Sequence, residues 1–360
     1  MTSPGELTSP GEATSPREVT FWRSGGGTES ETGLTRLLYS VAAVGRIPDT
    51  NLDVFPLCLG GNVFDWTADE RQSFDVLDAY VAAGGNFIDT ADTYSSWVPG
   101  HPGGESEAII GRWMAARGTR NRVVVATKVG MKPGLKGLAP ATIRTAAEDS
   151  LRRLGTDRID LYQFHFPDLT VPIEETLGAL DDLVRAGKVR EIGNSNLTGE
   201  MIEEADDVSQ KLGFARFVSA QNMYNLLNRE PEQDILPACE RRGLAFLPYF
   251  PLASGLLTGK YRKGQPLPEG ARLTAYPEDR RKHFLNERTL DIVEKLEAFA
   301  SPRDQTLLDV AMSWLAANPV VASVIAGATK PEQVQANAAA VGWKLSDEER
   351  KQMDEITKPG

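Results

Sequence analysis

The sequence predicts an α/β protein folded as one TIM-type (β/α)8 barrel. Three observations lead there. Short apolar runs alternate with amphipathic helical segments from residue 53 onward. Eight such runs fit within about 290 residues, the size of one eight-stranded parallel ring. The first run leads into "LGGNVFDW" and not into the G-x-G-x-x-G turn that a doubly wound, open dinucleotide-binding sheet would want.

The strand candidates, in order, are "VFPLCLG" (54–60), "NFID" (86–89), "VVVATK" (123–128), "IDLYQFH" (159–165), "VREIGNSN" (189–196), "FVSAQN" (217–222), "LAFLPY" (244–249) and "VASVIAG" (321–327). Between them the 3.6-residue period returns. Residues 68–84 read as a helix with Asp69 or Thr67 as its cap and Gly84 as its stop. Residues 139–155, 172–188 and 198–213 repeat that grammar. Right-handed crossovers close such units into a barrel occupying residues 36–360. Residues 1–35 read as a disordered, low-complexity tail. "TSPGE", "TSPGE" and "TSPRE" offer too little apolar surface to offset the entropy of ordering.

Composition excludes several functions. The 360 residues are 41% hydrophobic and carry a formal net charge of −11. No Lys/Arg stripe suits a nucleic-acid backbone, so nucleic acid is not an expected partner. No apolar run reaches the roughly 20 residues that span a bilayer, and no signal pattern opens the chain. A cytoplasmic protein is expected, with Cys58 and Cys239 as reduced core residues and the oligomeric state left open.

In a barrel of this class the chemistry sits at the C-terminal ends of the strands. Those ends present Asp89 and then Tyr94, Lys128, His165, Ser195 with Asn196, Gln221 with Asn222, and Tyr249. Each has an ordinary alternative, such as a turn cap, a solvated lysine or a core histidine. Their joint placement on one mouth points to a site. A phenol titrates near pH 10, too high for easy proton donation at neutrality. An ammonium about 4 Å away favours the phenolate by roughly 4 kcal/mol, which is expected to bring Tyr94 towards physiological pH. Asp89 would hold Lys128 charged, and His165 would orient a carbonyl. No metal is needed, because His165 has no second ligand at the right spacing.

At this point "NFIDTADTY", "ATKVG", "DLYQFHFPD", "IGNSN", "QNMYNLLNRE", "PLASGLLTGKY" and "GATKPEQVQAN" together resemble the aldo-keto reductase superfamily, in its bacterial branch, from about residue 50 to 355. The resemblance implies reduction of a small-molecule aldehyde or ketone by a nicotinamide dinucleotide, with Asp89, Tyr94, Lys128 and His165 as the catalytic set. It implies contacts from Ser195, Asn196 and Gln221 to the carboxamide and a stack of Tyr249 on the nicotinamide ring. Leu252, Ser254, Gly255 and Lys260 would wrap the pyrophosphate. Gly327, Thr329, Lys330, Gln333 and Asn337 would meet the adenosine end, where a helix N-terminus suits a phosphate.

The chain departs from the family pattern in places. Thr329 and Lys330 stand where relatives often carry an arginine, Ala336 where an acidic residue is common, and Phe250 where a serine is common. Lys330 and Arg262 remain as partners for a 2′-phosphate, so NADP is expected ahead of NAD. A long Gly/Pro-rich loop after Tyr94 offers Trp97 and His101 to the substrate, or else Trp97 simply packs the loop. Residues 261–285 form a second long connection, read as either a cofactor lid or a passive insertion. Two rival readings stand: a cofactor-sensing subunit resembling potassium-channel β subunits, and a reductase of ketosugars.

Overall fold

The computed structural model describes residues 45–358. The tail assigned to residues 1–35 lies outside the described residues. The barrel strands are β1 (Leu57–Gly60), β2 (Phe87–Asp89), β3 (Val124–Val129), β4 (Ile159–Phe164), β5 (Val189–Ser195), β6 (Phe217–Gln221), β7 (Ala245–Phe246) and β8 (Val324–Gly327). Neighbouring ladders are parallel and run in the order β7-β6-β5-β4-β3-β2-β1-β8. The ends of this sheet meet: Phe246 bridges to Val321, Tyr249 bridges to Ile325, and the Ile325 N–H donates to the Pro248 carbonyl at 2.9 Å. The eight-strand expectation therefore holds.

Three strands are shorter than their apolar runs, for local reasons. Pro56 breaks the run 54–60, and Asp53–Val54 instead pairs antiparallel with Gly45–Arg46. Pro248 lacks an N–H to continue the ladder, so β7 stops early. β8 begins at Val324, although Val321 still touches Phe246.

The helices of the first six units are α1 (Glu70–Ala82), α2 (Glu105–Arg117), α3 (Pro140–Leu154), α4 (Ile173–Arg185), α5 (Gly199–Leu212) and α6 (Ile235–Arg242). They are followed by α7 (Glu278–Phe284), α8 (Glu287–Ala300), α9 (Leu307–Ala316), α10 (Pro331–Ala340) and α11 (Asp347–Thr357). Asp69, not Thr67, caps α1. Its carboxylate accepts from the Gln72 N–H at 2.8 Å while Gln72 Oε1 accepts from the Asp69 N–H at 3.0 Å. Thr198 caps α5, which ends on Gly213 at φ +68°. Among the described residues no helix is long and apolar enough to cross a membrane.

Two hydrophobic cores result. One fills the shell between strands and helices. The other lies inside the ring, where Phe87, Val124 and Ala245, each the first residue of its strand, pack with Leu161 and Ile325. Ile47, Leu52 and Val54 join that cluster. The N-terminal ribbon thus stoppers the bottom of the barrel with hydrocarbon, leaving the opposite end for polar groups. The connection 261–285 is partly structured: it contains a 3-10 turn at Arg272–Ala275 and helix α7, and the Leu273 N–H donates to the Tyr261 hydroxyl at 3.1 Å.

Helices α2 and α3 meet at Gly111, where an added Cβ would lie 2.5 Å from the Arg153 carbonyl oxygen and 2.8 Å from the Leu154 carbonyl carbon. Backbone cannot swing aside as a side chain can. Gly111→Ala is expected to destabilise the fold by about 1–3 kcal/mol despite its better helix propensity. Urea unfolding against wild type measures this.

Candidate active site

Side chains alternate across a strand, so residues two apart share a face. On β3, Val124 and Ala126 belong to the inner apolar cluster, and the same face continues to Lys128. On β2 it runs from Phe87 to Asp89. On β4 it runs from Leu161 to Gln163 and on to His165, just past the strand, and after β7 from Leu247 to Tyr249. Each inner face therefore turns from hydrocarbon to polar atoms towards the C-terminal end of its strand.

There the Lys128 ammonium donates to Asp89 Oδ2 at 2.6 Å, to the Thr90 carbonyl at 2.8 Å and to the Tyr94 hydroxyl at 2.9 Å. The Tyr94 hydroxyl in turn donates to Asp89 Oδ2 at 3.3 Å. Lys128 and Asp89 are fully buried, while Tyr94 is half-buried. His165 stands beside Tyr94 with ring centroids 5.9 Å apart. The structure thus brings Asp89, Tyr94 and Lys128 into direct contact, with His165 flanking the phenol.

The electrostatics correct one expectation. Burial pushes the Tyr94 phenol up; Lys128 pulls it down and Asp89 pushes it up again, and the net is well above the usual phenol value. The expected fall towards neutrality assumed an ammonium acting alone. Here desolvation and the shared carboxylate outweigh it. For Lys128, burial works against the charge, but Asp89 and Tyr94 more than offset it, so the pKa is raised and the ammonium persists. Burial, and next the Lys128 charge, pull the His165 imidazole down to about 3, so it is neutral at physiological pH and offers one N–H.

The residues expected at the cofactor fall into three groups. Ser195 and Gln221 are buried: the Ser195 hydroxyl donates to the Gln221 carbonyl at 2.8 Å, and Gln221 Nε2 donates to Asp89 Oδ1 at 3.0 Å. Asn196, at φ +63°, donates to the His165 carbonyl at 2.9 Å and accepts from the Tyr249 hydroxyl at 2.8 Å. After β7, Ser254 and Gly255 adopt positive φ, with Leu252 half-buried and Lys260 exposed. After β8, Gln333 Oε1 accepts from the Thr329 N–H at 2.8 Å, Lys330 precedes α10, Asn337 is buried and Gly327 ends the strand. Arg262, expected to be free for a phosphate, instead forks onto Glu297, with Nη2 to Oε1 at 2.6 Å. In the loop after Tyr94, Trp97 meets the Tyr94 ring edge-on at 6.1 Å, and His101 faces Asp65 at 3.9 Å.

Sequence reasoning missed three residues. Gln163 donates to Asp89 Oδ1 at 3.4 Å; its signal was an amide in the middle of the apolar run "DLYQF". Arg272 lies over both the Trp66 and Phe250 rings, at 5.6 and 5.4 Å, with no signal but a lone arginine in a polar loop. Asp92, in "DTADTY", is fully buried, and neither carboxylate oxygen has a hydrogen-bond partner among the described residues.

Burial, then the neighbouring Glu107 carboxylate, push Asp92 up to about 7, against the opposing pull of Arg153, Lys132 and Lys128. Between the ordinary carboxylate value of 3.8 and about 7 the folded chain holds a proton that the unfolded chain has released. Stability therefore falls as pH rises through that window and is flat beyond it. Asp92→Asn is expected to remove the slope, gaining up to about 4 kcal/mol on wild type between pH 4 and 8. Urea midpoints at both pH values measure it.

A family model described as "Aldo/keto reductase family" matches residues 56–358. The chain is 36% identical over 317 residues to the uncharacterized oxidoreductase YrpG of Bacillus subtilis, covering 85% of this chain and 93% of that protein. It is 34% identical over 330 residues to protein tas of Escherichia coli, covering 84% and 94%. It is also 36% identical over 280 residues to a probable voltage-gated potassium channel subunit beta of Oryza sativa, covering 76% and 83%. With the barrel and the Asp89–Lys128–Tyr94 cluster in place, these similarities show that the chain belongs to the aldo/keto reductase family.

Proposed function

We propose that the protein is an NADPH-dependent oxidoreductase that reduces an aldehyde or ketone to an alcohol, with Tyr94 as proton donor. The observation that carries this reading is the 2.9 Å contact between the Tyr94 hydroxyl and a buried, Asp89-anchored ammonium at the C-terminal mouth of the barrel. When bound, the dihydronicotinamide supplies a hydride to the carbonyl carbon and leaves oxidised. As the carbonyl π bond breaks, the oxygen gathers negative charge and takes the Tyr94 proton. A phenol with a raised pKa is fully protonated beforehand, so the acid is always loaded. The phenolate left behind is stabilised by Lys128 and recovers its proton from solvent. Neutral His165 donates its one N–H to the carbonyl oxygen and thereby orients it.

The residues present fit such a cofactor. Asn222, at the end of β6, has a buried Oδ1 without a partner among the described residues, an acceptor next to the Ser195–Asn196 pair. The positive φ of Ser254 and Gly255 turns the backbone after β7 sharply beside Lys260. Partial loss of hydration around its ammonium lowers the Lys260 pKa, and the Arg272 charge lowers it further. Neither cation has a carboxylate partner among the described residues, so an anion held between them would relieve the repulsion. Lys330, beside the start of α10, adds a third cation without a carboxylate partner among the described residues. With Arg262 committed to Glu297, these three support NADPH over NAD.

The second reading is a cofactor-sensing subunit, favoured only by the similarity to the rice channel subunit. A complete acid and its buried tuning pair support the enzyme. Tyr94→Phe is expected to cut turnover by about a hundred- to ten-thousandfold while NADPH affinity, read by fluorescence titration, changes less than threefold. Near-wild-type turnover would falsify the proposed acid. Wild-type protein that binds NADPH but oxidises it with no carbonyl would favour the sensor. Lys128→Met is expected to lose turnover and also about 3–5 kcal/mol of stability, because it strands the Asp89 charge in the barrel; urea midpoints report the second effect.

A further inference from the structure

Of the eight large apolar side chains exposed among the described residues, seven stand on loops that follow barrel strands at the C-terminal mouth; the eighth, Leu212, ends α5. Chance would scatter such residues over the surface. Several of these side chains are rings, and the rings form a continuous row. Trp66 meets Trp97 at 5.4 Å, Trp97 meets Tyr94 at 6.1 Å, Tyr94 meets His165 at 5.9 Å, and His165 stacks on Phe166 at 5.7 Å and 20°. The two residues that would hold the reacting oxygen occupy the middle of this row. Exposed aromatic surface extends to either side, with Trp66 and Trp97 on one flank and Phe166 on the other. Trp66, Trp97 and Phe166 are each 42–46% exposed.

A terminal aldehyde places hydrocarbon on one side of its carbonyl only. A ketosugar would set hydroxyl groups against ring surfaces on both flanks, where the rings offer them no hydrogen bond in exchange for the water displaced. We propose that the physiological substrate is a ketone whose carbonyl lies within or between aromatic rings, so that apolar, planar surface covers both flanks at once. This assignment rests on the carbonyl-reductase reading and narrows it. The reaction is unchanged: the carbonyl carbon takes a hydride from NADPH, the oxygen takes the Tyr94 proton, and a secondary alcohol forms. Aromatic faces and edges on the flanks favour flat, electron-rich or electron-poor rings through offset and edge-on contacts.

The test uses two activated diketones of equal reactivity class and NADPH oxidation as the readout. Benzil (1,2-diphenylethane-1,2-dione) carries its dicarbonyl between two phenyl rings; butane-2,3-dione is the same dicarbonyl with a methyl in place of each ring. The full-length protein is expected to favour benzil by about a hundredfold in kcat/KM, chiefly through KM, given the apolar area covered. Trp66→Ala and Phe166→Ala, on opposite flanks, are each expected to reduce that preference by about tenfold. A preference below threefold, with butane-2,3-dione still turned over, overturns the inference and leaves the reductase standing. A preference that survives both substitutions also overturns it. Turnover of neither diketone by protein that binds NADPH removes the parent reading, and this inference falls with it.

Discussion

A lysine ammonium sits fully buried inside a ring of strands, and the rest of the site follows from what keeps it there. Removing such a charge from water costs several kcal/mol, which its pairing with Asp89 must offset. One carboxylate contact is not enough, because Asp89 has lone pairs of its own to satisfy. Gln221 and Gln163 supply donors to its other oxygen, and the Thr90 carbonyl takes a second proton of the ammonium. The third goes to the Tyr94 hydroxyl. Every donor of Lys128 is thus assigned, and the phenol is held in place by the same network that stabilises the charge. A hydroxyl placed by a buried ion pair is fixed more firmly than one carried by a loop alone, which matters because Tyr94 lies beyond the end of β2.

The barrel makes this affordable through its division into levels. The strand period of two gives every inner position a fixed height. The register pairs Phe87 with Val124; one step up it aligns Asp89 with Ala126 and Ala126 with Leu161, and a further step up Lys128 pairs with Gln163, while Leu247 lies below Tyr249. The apolar layer, closed by Ile47, Leu52 and Val54, keeps water from reaching the ion pair from below. Solvent and substrate therefore approach from the loop side only. That asymmetry explains the raised phenol pKa: Tyr94 loses hydration on its inner side, and the compensating ammonium is shared with a carboxylate.

Much of this was legible in the sequence because it depends on spacing. Strand ends can be counted, and Asp89, Lys128 and His165 fall at those ends whatever the side chains do next. Helix limits were legible for a similar reason, since the period and a terminal glycine such as Gly213 are local signals, but the choice between Asp69 and Thr67 as cap was settled only by the Asp69–Gln72 box. Magnitudes that depend on surroundings were not legible. Coulomb's law with an assumed distance predicted a lowered Tyr94 pKa; the distance was adequate, but the desolvation and the second neighbour were missing. Gln221 illustrates a different limit. Its position at the mouth follows from counting, but a side chain at a strand end can face a ligand or a neighbour, and only the ring's closure brings it to Asp89, 132 residues away. Arg272 was beyond reach because the connection 261–285 has no period, so nothing in it states which loops it crosses.

The loop-side polar and apolar features then acquire separate meanings. The cations Lys260, Arg272 and Lys330, which have no carboxylate partner among the described residues, belong to the strands-seven-and-eight side, where a turn of positive-φ residues and the start of α10 suit an anion. The exposed rings of Trp66, Trp97 and Phe166 belong to the loops after β1, β2 and β4. The Trp66, Trp97 and Phe166 rings and the cations thus occupy different loops around one opening, and Arg272, lying over Trp66 and over the exposed Phe250 ring after β7, joins the two sides. A carbonyl approaching along the apolar side completes the desolvation of Tyr94, which strengthens its contact with Lys128 as negative charge develops on the substrate oxygen. The phenol therefore keeps its proton until a carbonyl oxygen gathering negative charge offers a base able to take it, and the Lys128 ammonium then stabilises the phenolate left behind.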